Sequence, residues 1–368
     1  MIRVCLVVNS LLFGGVEKVI ENYLKGFNTK EFEFSIISQD DASKECIEYF
    51  KSLGFQVFIV THKRKNFIKN FTEIKKIIKN ENYDIIHSHM SKTNFYVLKI
   101  AKQYGVKTRI NHYHNVFEGN FIKIQVTKCL NRLCDKYATD NIFCSEAVEK
   151  LLGKYKKPGF VLYNAIEIDK FIFNIFLRKK IREIYGIKDD EVVIGHVGRF
   201  AVQKNHLFLL DVFYEFHKKN PTSKLLLVGE GPLEDKIKDK VAKLRLTSSV
   251  IFVGSTTQPH EFYQAMDYFI FPSLFEGLGL TFLEAQISGL SCLGSDILPD
   301  ETIVSKNVIR LSLNAGPKEW AKKIFIPNIS RDNACDSRVD RYDLKKCKNI
   351  LFDFYRKKIC DASKNIEY

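Results

Sequence analysis

The sequence predicts an α/β protein built as two domains, each with its own parallel sheet. Apolar, strand-like runs alternate with helix-length segments of helical periodicity along almost all of it. Such alternation implies parallel strands joined by helical crossovers that cover both faces of a sheet. The rhythm breaks once, near "KKPGFVLYNAIEIDKF", and then resumes as a second series. The 368 residues are also more than one core usually holds and suit two α/β domains.

The first strand is "IRVCLVV". Asn9 and Ser10 interrupt the apolar run and no small-residue cleavage site follows, so the segment reads as a strand and not as a signal peptide. Val16, Val19, Ile20, Tyr23, Leu24 and Phe27 then recur at helical spacing. "FEFSIIS", "FQVFIV", "YDIIHSH", "KTRINHYH" and "DNIFCS" continue the strands of the first domain, each after a helix-length segment. A polar helical stretch runs to about Tyr185. The second series is "EVVIGHVGRF", "SKLLLVGEG", "SVIFVGS", "YFIFPS" and "LSCLGSD". The last segment, "YDLKKCKNILFDFYRKKICDA", is helix-like and stands outside the alternation.

Composition narrows the function. Hydrophobic residues make up 45% and charged residues 27%, as in ordinary globular proteins, and no apolar run is long enough to span a membrane. The nine cysteines form no C-x-x-C pair and several sit in apolar runs, where Cys is a small hydrophobe, which fits a reducing cytoplasm. A net charge of +14 calls for an anionic partner. Zinc-finger spacing, an aromatic single-strand-binding signature and an Arg-rich tract are all missing from the sequence, so nucleic acid is set aside. A phosphorylated small molecule and an anionic membrane surface remain.

Five stretches carry residues suited to chemistry. In "NSLLFGGVEKV", Gly14 and Gly15 sit where a helix begins, suited either to holding an anion on free N–H groups or to a tight turn. His87 and His89, and likewise His112 and His114, lie at strand ends with each pair on one face. A metal site lacks an acidic or cysteine partner at suitable spacing, so one substrate-orienting imidazole among hydrogen-bonded structural histidines is the better reading. In "GHVGRFAVQKNH", Gly198 admits close backbone approach, and Arg199 and Lys204 place two cations just past a strand end, an arrangement suited to a diphosphate. "LLLVGEGPLEDKI" repeats the strand, glycine turn and helix, the helix opening at Pro232.

The fifth stretch, "FPSLFEGLGLTFLEAQISGL", holds Glu276 and Glu284 with seven residues between them. Thr281 and Glu284 fit a capping box, which would explain Glu284 on structural grounds. That explanation has no use for Glu276, Gly277 or Gly279. A sugar nucleotide uses all of them, the carboxylates gripping hydroxyl pairs on a sugar and a ribose, with backbone N–H groups between.

Together "FGGVE", "GRFAVQKN", "VGEGPLEDKI" and the E-x7-E stretch resemble the family 4 glycosyltransferases of GT-B fold over nearly the whole chain. "SCLGSD" and "EWAKKI" look most like the bacterial branch that builds capsular and exocellular polysaccharide. Thr281, Ser291 and Ala165 depart from the residues usual in the family. The resemblance implies two Rossmann-like domains facing across a cleft. An acceptor-side domain, 1–165, is completed by a helix at about 343–368, and a nucleotide-sugar domain covers 166–342. It implies retaining transfer from a nucleotide-sugar, a UDP-sugar favoured, to a lipid-linked or glycan acceptor, without metal or other cofactor. No D-x-D occurs in the sequence, in keeping with that. By the same resemblance Arg199, Lys204 and the Gly15 amide stabilise the leaving diphosphate, and Glu284 binds the ribose. Glu276 contacts the transferred sugar, His114 lies beside it, and Gly14, Gly277, Leu278 and Gly279 complete the donor site. A sugar-nucleotide epimerase of the same fold would not be expected to carry E-x7-E. A non-catalytic partner subunit would be expected to have lost Arg199, Lys204 or a signature glutamate.

Between His62 and Asn82 there are seven Lys or Arg against two Glu, with Phe67, Phe71, Ile74 and Ile78 as a helical apolar stripe. This reads either as a core-packed helix with a solvated basic face or as a surface that docks on anionic membrane. The second reading implies a cytoplasmic enzyme peripheral on the inner face of the cell membrane.

Overall fold

Seven strands, all paired in parallel, form the first sheet: β1 (Ile2–Val8), β2 (Phe32–Ser38), β3 (Gln56–Ile59), β4 (Ile85–Ser88), β5 (Thr108–Tyr113), β6 (Asp140–Phe143) and β7 (Gly159–Val161). The structure is a computed structural model that describes residues 1–12, 15–90, 93–114, 121–152, 157–325, 331 and 335–364. Its contacts divide the chain into two units, Met1–Ala165 with Arg341–Tyr368, and Ile166–Asp340.

In the first unit the strand order is β3-β2-β1-β4-β5-β6-β7, so the order reverses at β1, which is flanked by β2 and β4. Successive side chains of a strand point to opposite faces, and β1 feeds two cores accordingly. Val4, Leu6 and Val8 join one core with Val19, Ile20 and Tyr23 of the helix Gly15–Leu24, while Cys5 and Val7 join the other with Ile74 and Ile78 of the helix Phe67–Glu81. Both helices that follow β2 and β3 are capped from the side chain preceding them: Ser43 accepts from Cys46 N at 3.1 Å, and Asn66 accepts from Lys69 N at 2.9 Å. The stripe Phe67–Phe71–Ile74–Ile78 therefore divides. Ile74 and Ile78 are core residues, whereas Phe67 and Ile68 are exposed at the helix start.

The helix Leu344–Lys364 belongs to this unit. Cys347, Leu351, Phe352 and Tyr355 recur on one of its faces and are buried in the core that holds Val4, Phe32 and Phe34. Phe352 meets Phe32 edge-on, with ring centres 4.9 Å apart. Its outer face is tied by Arg356 to Glu31 at 2.6 Å and by Lys358 to Asp140 at 2.5 Å.

Six parallel strands form the sheet of the second unit: β8 (Val193–Val197), β9 (Lys224–Val228), β10 (Val250–Gly254), β11 (Tyr268–Phe271), β12 (Ser291–Ser295) and β13 (Val308–Leu311). Their order, β10-β9-β8-β11-β12-β13, reverses between β8 and β11. Open parallel sheets bind ligands beyond the carboxyl ends of their strands at such a reversal. Ile194, Leu225, Leu227, Ile270 and Leu293 pack one face of this sheet against Leu209, Phe213 and the only tryptophan, Trp320.

Two strands go beyond the sequence reading. β7 lies where the rhythm was read as broken, and β13 follows the last run counted as a strand. Each is a short strand at a sheet edge with only partly buried residues, so neither shows the apolar run of a central strand. The helix expected to open at Pro232 begins at Glu234 instead, because Pro232 and Leu233 form a turn.

One helix offers an internal control. Leu351→Ala should lower stability by ~2–5 kcal/mol, whereas the neighbouring, half-exposed Ile350→Ala should stay within ~0.5 kcal/mol. Urea denaturation followed by circular dichroism checks the difference.

Candidate functional site

Lys204 and Glu276 stand on the two sides of the β8/β11 reversal, one after each strand. The Lys204 ammonium lies 2.7 Å from Glu276 Oε1, with only 15% and 6% of the two side chains exposed. It also sits 4.6 Å above the centre of the Phe271 ring at the end of β11, so a cation–π contact adds to the ion pair. Backbone and side chain of Gln203 hold the two loops together: Leu274 N donates to Gln203 O at 2.8 Å, and Gln203 Nε2 donates to Phe275 O at 3.0 Å. Arg199, directly after β8, is exposed and has no ion-pair partner among the described residues.

The glycines keep the backbones close. A Cβ on Gly229 would lie 2.2 Å from the carbonyl oxygen of Gly198, which brings the β8 and β9 loops into contact. Gly279, at φ 76°, is the N-cap of the helix Leu280–Ile287, a conformation that disfavours any side chain there. Gly277 is partly buried and Leu278 buried in the loop before it.

This helix corrects one sequence expectation. It has no side-chain cap, and Thr281, inside its first turn, has a buried hydroxyl with no partner, so the capping box does not form. Glu284 Oε2 instead accepts the hydroxyl of Tyr263 at 2.8 Å. Burial first, and the Glu284 charge second, push the Tyr263 hydroxyl well above its ordinary pKa, so it remains a donor to the carboxylate. Beneath the β8 loop lie two more buried imidazoles. His196 shares Nδ1 with Ile270 O at 2.8 Å, while its Nε2 and both ring nitrogens of His206 are unpartnered.

In the first unit, the two histidine pairs of β4 and β5 form one stack. His87 and His89 have ring centres 4.2 Å apart, and His112 and His114 4.1 Å apart. Across the strands, His87 Nε2 lies 3.0 Å from His112 Nδ1, and His89 Nδ1 lies 2.8 Å from His114 Nε2. His87 Nδ1 is 2.6 Å from the Tyr355 hydroxyl on the last helix. All four rings are buried. Burial lowers His114 to about 4; burial, helped by the His114 ring, lowers His87 to about 3. Burial likewise drives His89 and His112 down, so the stack is uncharged at neutral pH. Gly15 opens its helix, is exposed, and has open space where a Cβ would stand. Gly14 lies outside the described residues.

One ring nitrogen from each of His87, His89 and His112 comes within 4.8 Å of the others, the only such group of metal-type ligands among the described residues. The arrangement suits a cation poorly. Both nitrogens of His87 are engaged, no carboxylate belongs to the group, and the adjoining cavity of about 10 Å³ is largely apolar.

Residues 13–170 match the family described as Glycosyltransferase Family 4, and residues 178–325 match Glycosyl transferases group 1. The chain is a glycosyltransferase that carries a family 4 domain followed by a group 1 domain. The transferase is 25% identical to the capsular polysaccharide biosynthesis glycosyltransferase CapH of Staphylococcus aureus, over 97% of this chain and 99% of that one. It is 26% identical to the Escherichia coli UDP-Gal:alpha-D-GlcNAc-diphosphoundecaprenol alpha-1,3-galactosyltransferase, over 94% of each. Anabaena Alr3699/HepE, solved in complex with UDP and glucose, matches its fold with a TM-score of 0.80 at 16% identity, over 96% of this chain and 99% of that one. The fold of the transferase is thus GT-B.

Several residues of these two arrangements, one in each unit, escaped sequence reasoning. Tyr263 and Phe271 read as ordinary apolar positions, and only the fold sets them against Glu284 and Lys204. Tyr355 was not singled out, and the pairing of His89, though not the residue itself, was missed: they are 268 and 25 residues from their partners, beyond any local spacing signal.

Removing one member of a buried ion pair leaves the other charge unpaired. Lys204→Met should therefore lower the stability of the second unit by ~3 kcal/mol, and adding Glu276→Gln should recover part of the loss. Denaturation followed by the fluorescence of Trp320, which lies in that unit, measures both.

Proposed function

We propose that the transferase moves a sugar from a nucleotide-sugar, a UDP-sugar in first place, to a lipid-linked or glycan acceptor in bacterial surface-polysaccharide assembly. The proposal includes retention at the anomeric carbon and independence of metal ions. The observation that carries it is the Lys204–Glu276 pair at the strand-order reversal, with Glu284 one turn into the next helix. The capsular and diphosphoundecaprenol-directed names of two relatives and the UDP bound to a structural neighbour support the substrate classes.

In this reading Arg199 and Lys204 bind the diphosphate, Arg199 as an unengaged cation and Lys204 through the donors that Glu276 leaves over. Fixed cations and the Gly15 amide at a helix start offset the charge that builds as the sugar–phosphate bond breaks. Glu284, held by Tyr263, grips the ribose. Glu276 orients the sugar, and His114 stands beside it. The acceptor oxygen attacks the anomeric carbon on the leaving-group face, and its proton passes to the departing diphosphate. Gly14, Gly277, Leu278 and Gly279 supply the backbone around the donor.

EDTA should leave turnover essentially intact; a loss restored only by a divalent ion overturns the metal-free mechanism. The glutamates should separate kinetically. Glu284→Gln removes binding common to ground and transition states, so donor KM should rise with kcat little changed. Glu276→Gln should lower kcat by roughly a hundredfold, with donor affinity changed less. Normal turnover by the folded Glu276→Gln variant would show that the site is misassigned. UDP should raise the melting temperature of the wild type, and GDP should do so less.

The membrane is the second part of the proposal. No helix among the described residues is long and apolar enough to cross a bilayer. The helix Phe67–Glu81 instead exposes Phe67 and Ile68 beside Arg64, Lys65 and Lys69, with Lys75, Lys76 and Lys79 exposed further along. Apolar insertion with a cationic rim suits the anionic inner face of a cell membrane. The enzyme should co-sediment with anionic vesicles and be released by salt, and Ile68→Ser should weaken binding. Equal binding to neutral vesicles at any salt overturns this.

A further inference from the structure

His89 has no place in the reaction described above, yet its environment constrains His114, which does. The two imidazoles share one hydrogen bond, His89 Nδ1 to His114 Nε2, at 2.8 Å. Neither ring is charged at neutral pH, so each carries one N–H and one lone pair, and only two arrangements make this bond. Either His89 donates from Nδ1, or His114 donates from Nε2.

The choice falls to the far nitrogen of each ring. His89 Nε2 is buried and unpartnered. If His114 were the donor, the proton of His89 would sit on Nε2, which is buried with no partner. The small cavity that His89 helps to line is largely apolar, although Tyr23, His87, His112 and Tyr355 border it too. Buried N–H groups without an acceptor are the rarer and costlier defect, so the lone pair belongs there. His89 then carries its proton on Nδ1 and gives it to His114 Nε2. His114, accepting at Nε2, must carry its own proton on Nδ1, a nitrogen that, unlike His89 Nε2, is not among the buried atoms left without a partner, so the proton there does not incur the same cost.

We propose that His89 is a positioning residue: its Nδ1–H holds His114 as the Nδ1–H tautomer, so that His114 offers the ligand a proton donor and not a lone pair. A donor at that point suits a hydroxyl oxygen of the transferred sugar, and this extension rests on the reading of His114 under Proposed function. The stacking of His89 between His87 and His114, at 4.2 and 5.1 Å between ring centres, fixes the plane in which the donation is made.

The tautomer is directly measurable. In the full-length protein labelled with ¹⁵N-histidine, two-bond proton–nitrogen correlation spectra assign the proton to one ring nitrogen, and His114→Gln identifies the His114 signals by their loss. The wild type should show His114 protonated on Nδ1. His114 protonated on Nε2 overturns the proposal with no variant needed. His89→Asn, whose side-chain N–H falls near the position of Nδ1, should keep the Nδ1–H form. His89→Leu, checked for folding by circular dichroism, should give a mixture of tautomers. With the tautomer goes turnover: kcat should fall about tenfold in His89→Leu with donor KM little changed, and return towards wild type in His89→Asn. Equal kcat losses in the Leu and Asn variants would point to packing alone and overturn the positioning role. If the spectra hold but His114→Gln turns over normally, the positioning stands and what fails is the assignment of His114 to the donor site.

Discussion

A parallel strand leaves its sheet at the same edge as every other, and the chain must travel back along a helix before the next strand begins. That geometric constraint governs the whole transferase. It gathers each loop that follows a strand on one edge of the sheet, and it leaves a gap wherever the strand order reverses. In the second unit the loops after β8 and β11 border the same gap, although 70 residues of chain lie between Val197 and Tyr268. A cation from one loop and a carboxylate from the other meet there, Lys204 against Glu276.

What stands at these edges is polarity held in place by apolar surroundings. Lys204 and Glu276 are nearly sealed from water, so their attraction is little screened and their loops are drawn into one arrangement. The histidine stack follows the same physics with the opposite outcome. Without a counter-charge, burial removes the protons that would make those rings cationic, and what remains is a set of neutral donors and acceptors aligned by the strands. One arrangement keeps its charges by pairing them, and the other gives them up.

How much of this was legible in the sequence differs by the kind of signal. Central strands such as "IRVCLVV" and "SKLLLV" carry their burial on both faces as continuous apolar runs, and they were readable for that reason. The edge strands Gly159–Val161 and Val308–Leu311 face solvent in part, lose that run, and were missed. The charges of the Arg199–Lys204 and Glu276–Glu284 stretches stood out in the sequence because packing alone does not account for Arg199, Lys204 and Glu276, and the fold sets Lys204 against Glu276. Thr281 misled, since a Thr-x-x-Glu spacing fits a cap, while the actual N-cap is Gly279, two residues earlier. Tyr263, Phe271, Tyr355 and the pairing of His89 with His114 were illegible because each contact is with a partner that only the folded chain brings near.

The last helix gives the transferase an order of assembly. All of the second unit leaves the ribosome before Leu344–Lys364 does, so the first unit waits with Val4, Phe32 and Phe34 uncovered while its neighbour in sequence is already complete. Domains fold as units once their segments are available, and an open apolar face is where a nascent chain aggregates or meets a chaperone. The arrival of Leu351 and Phe352 closes that face, and with it Tyr355 reaches His87. Completion of the polar stack is thereby tied to the arrival of this helix, and a chain stopped short of it would carry every described strand of both sheets and still lack a finished interior.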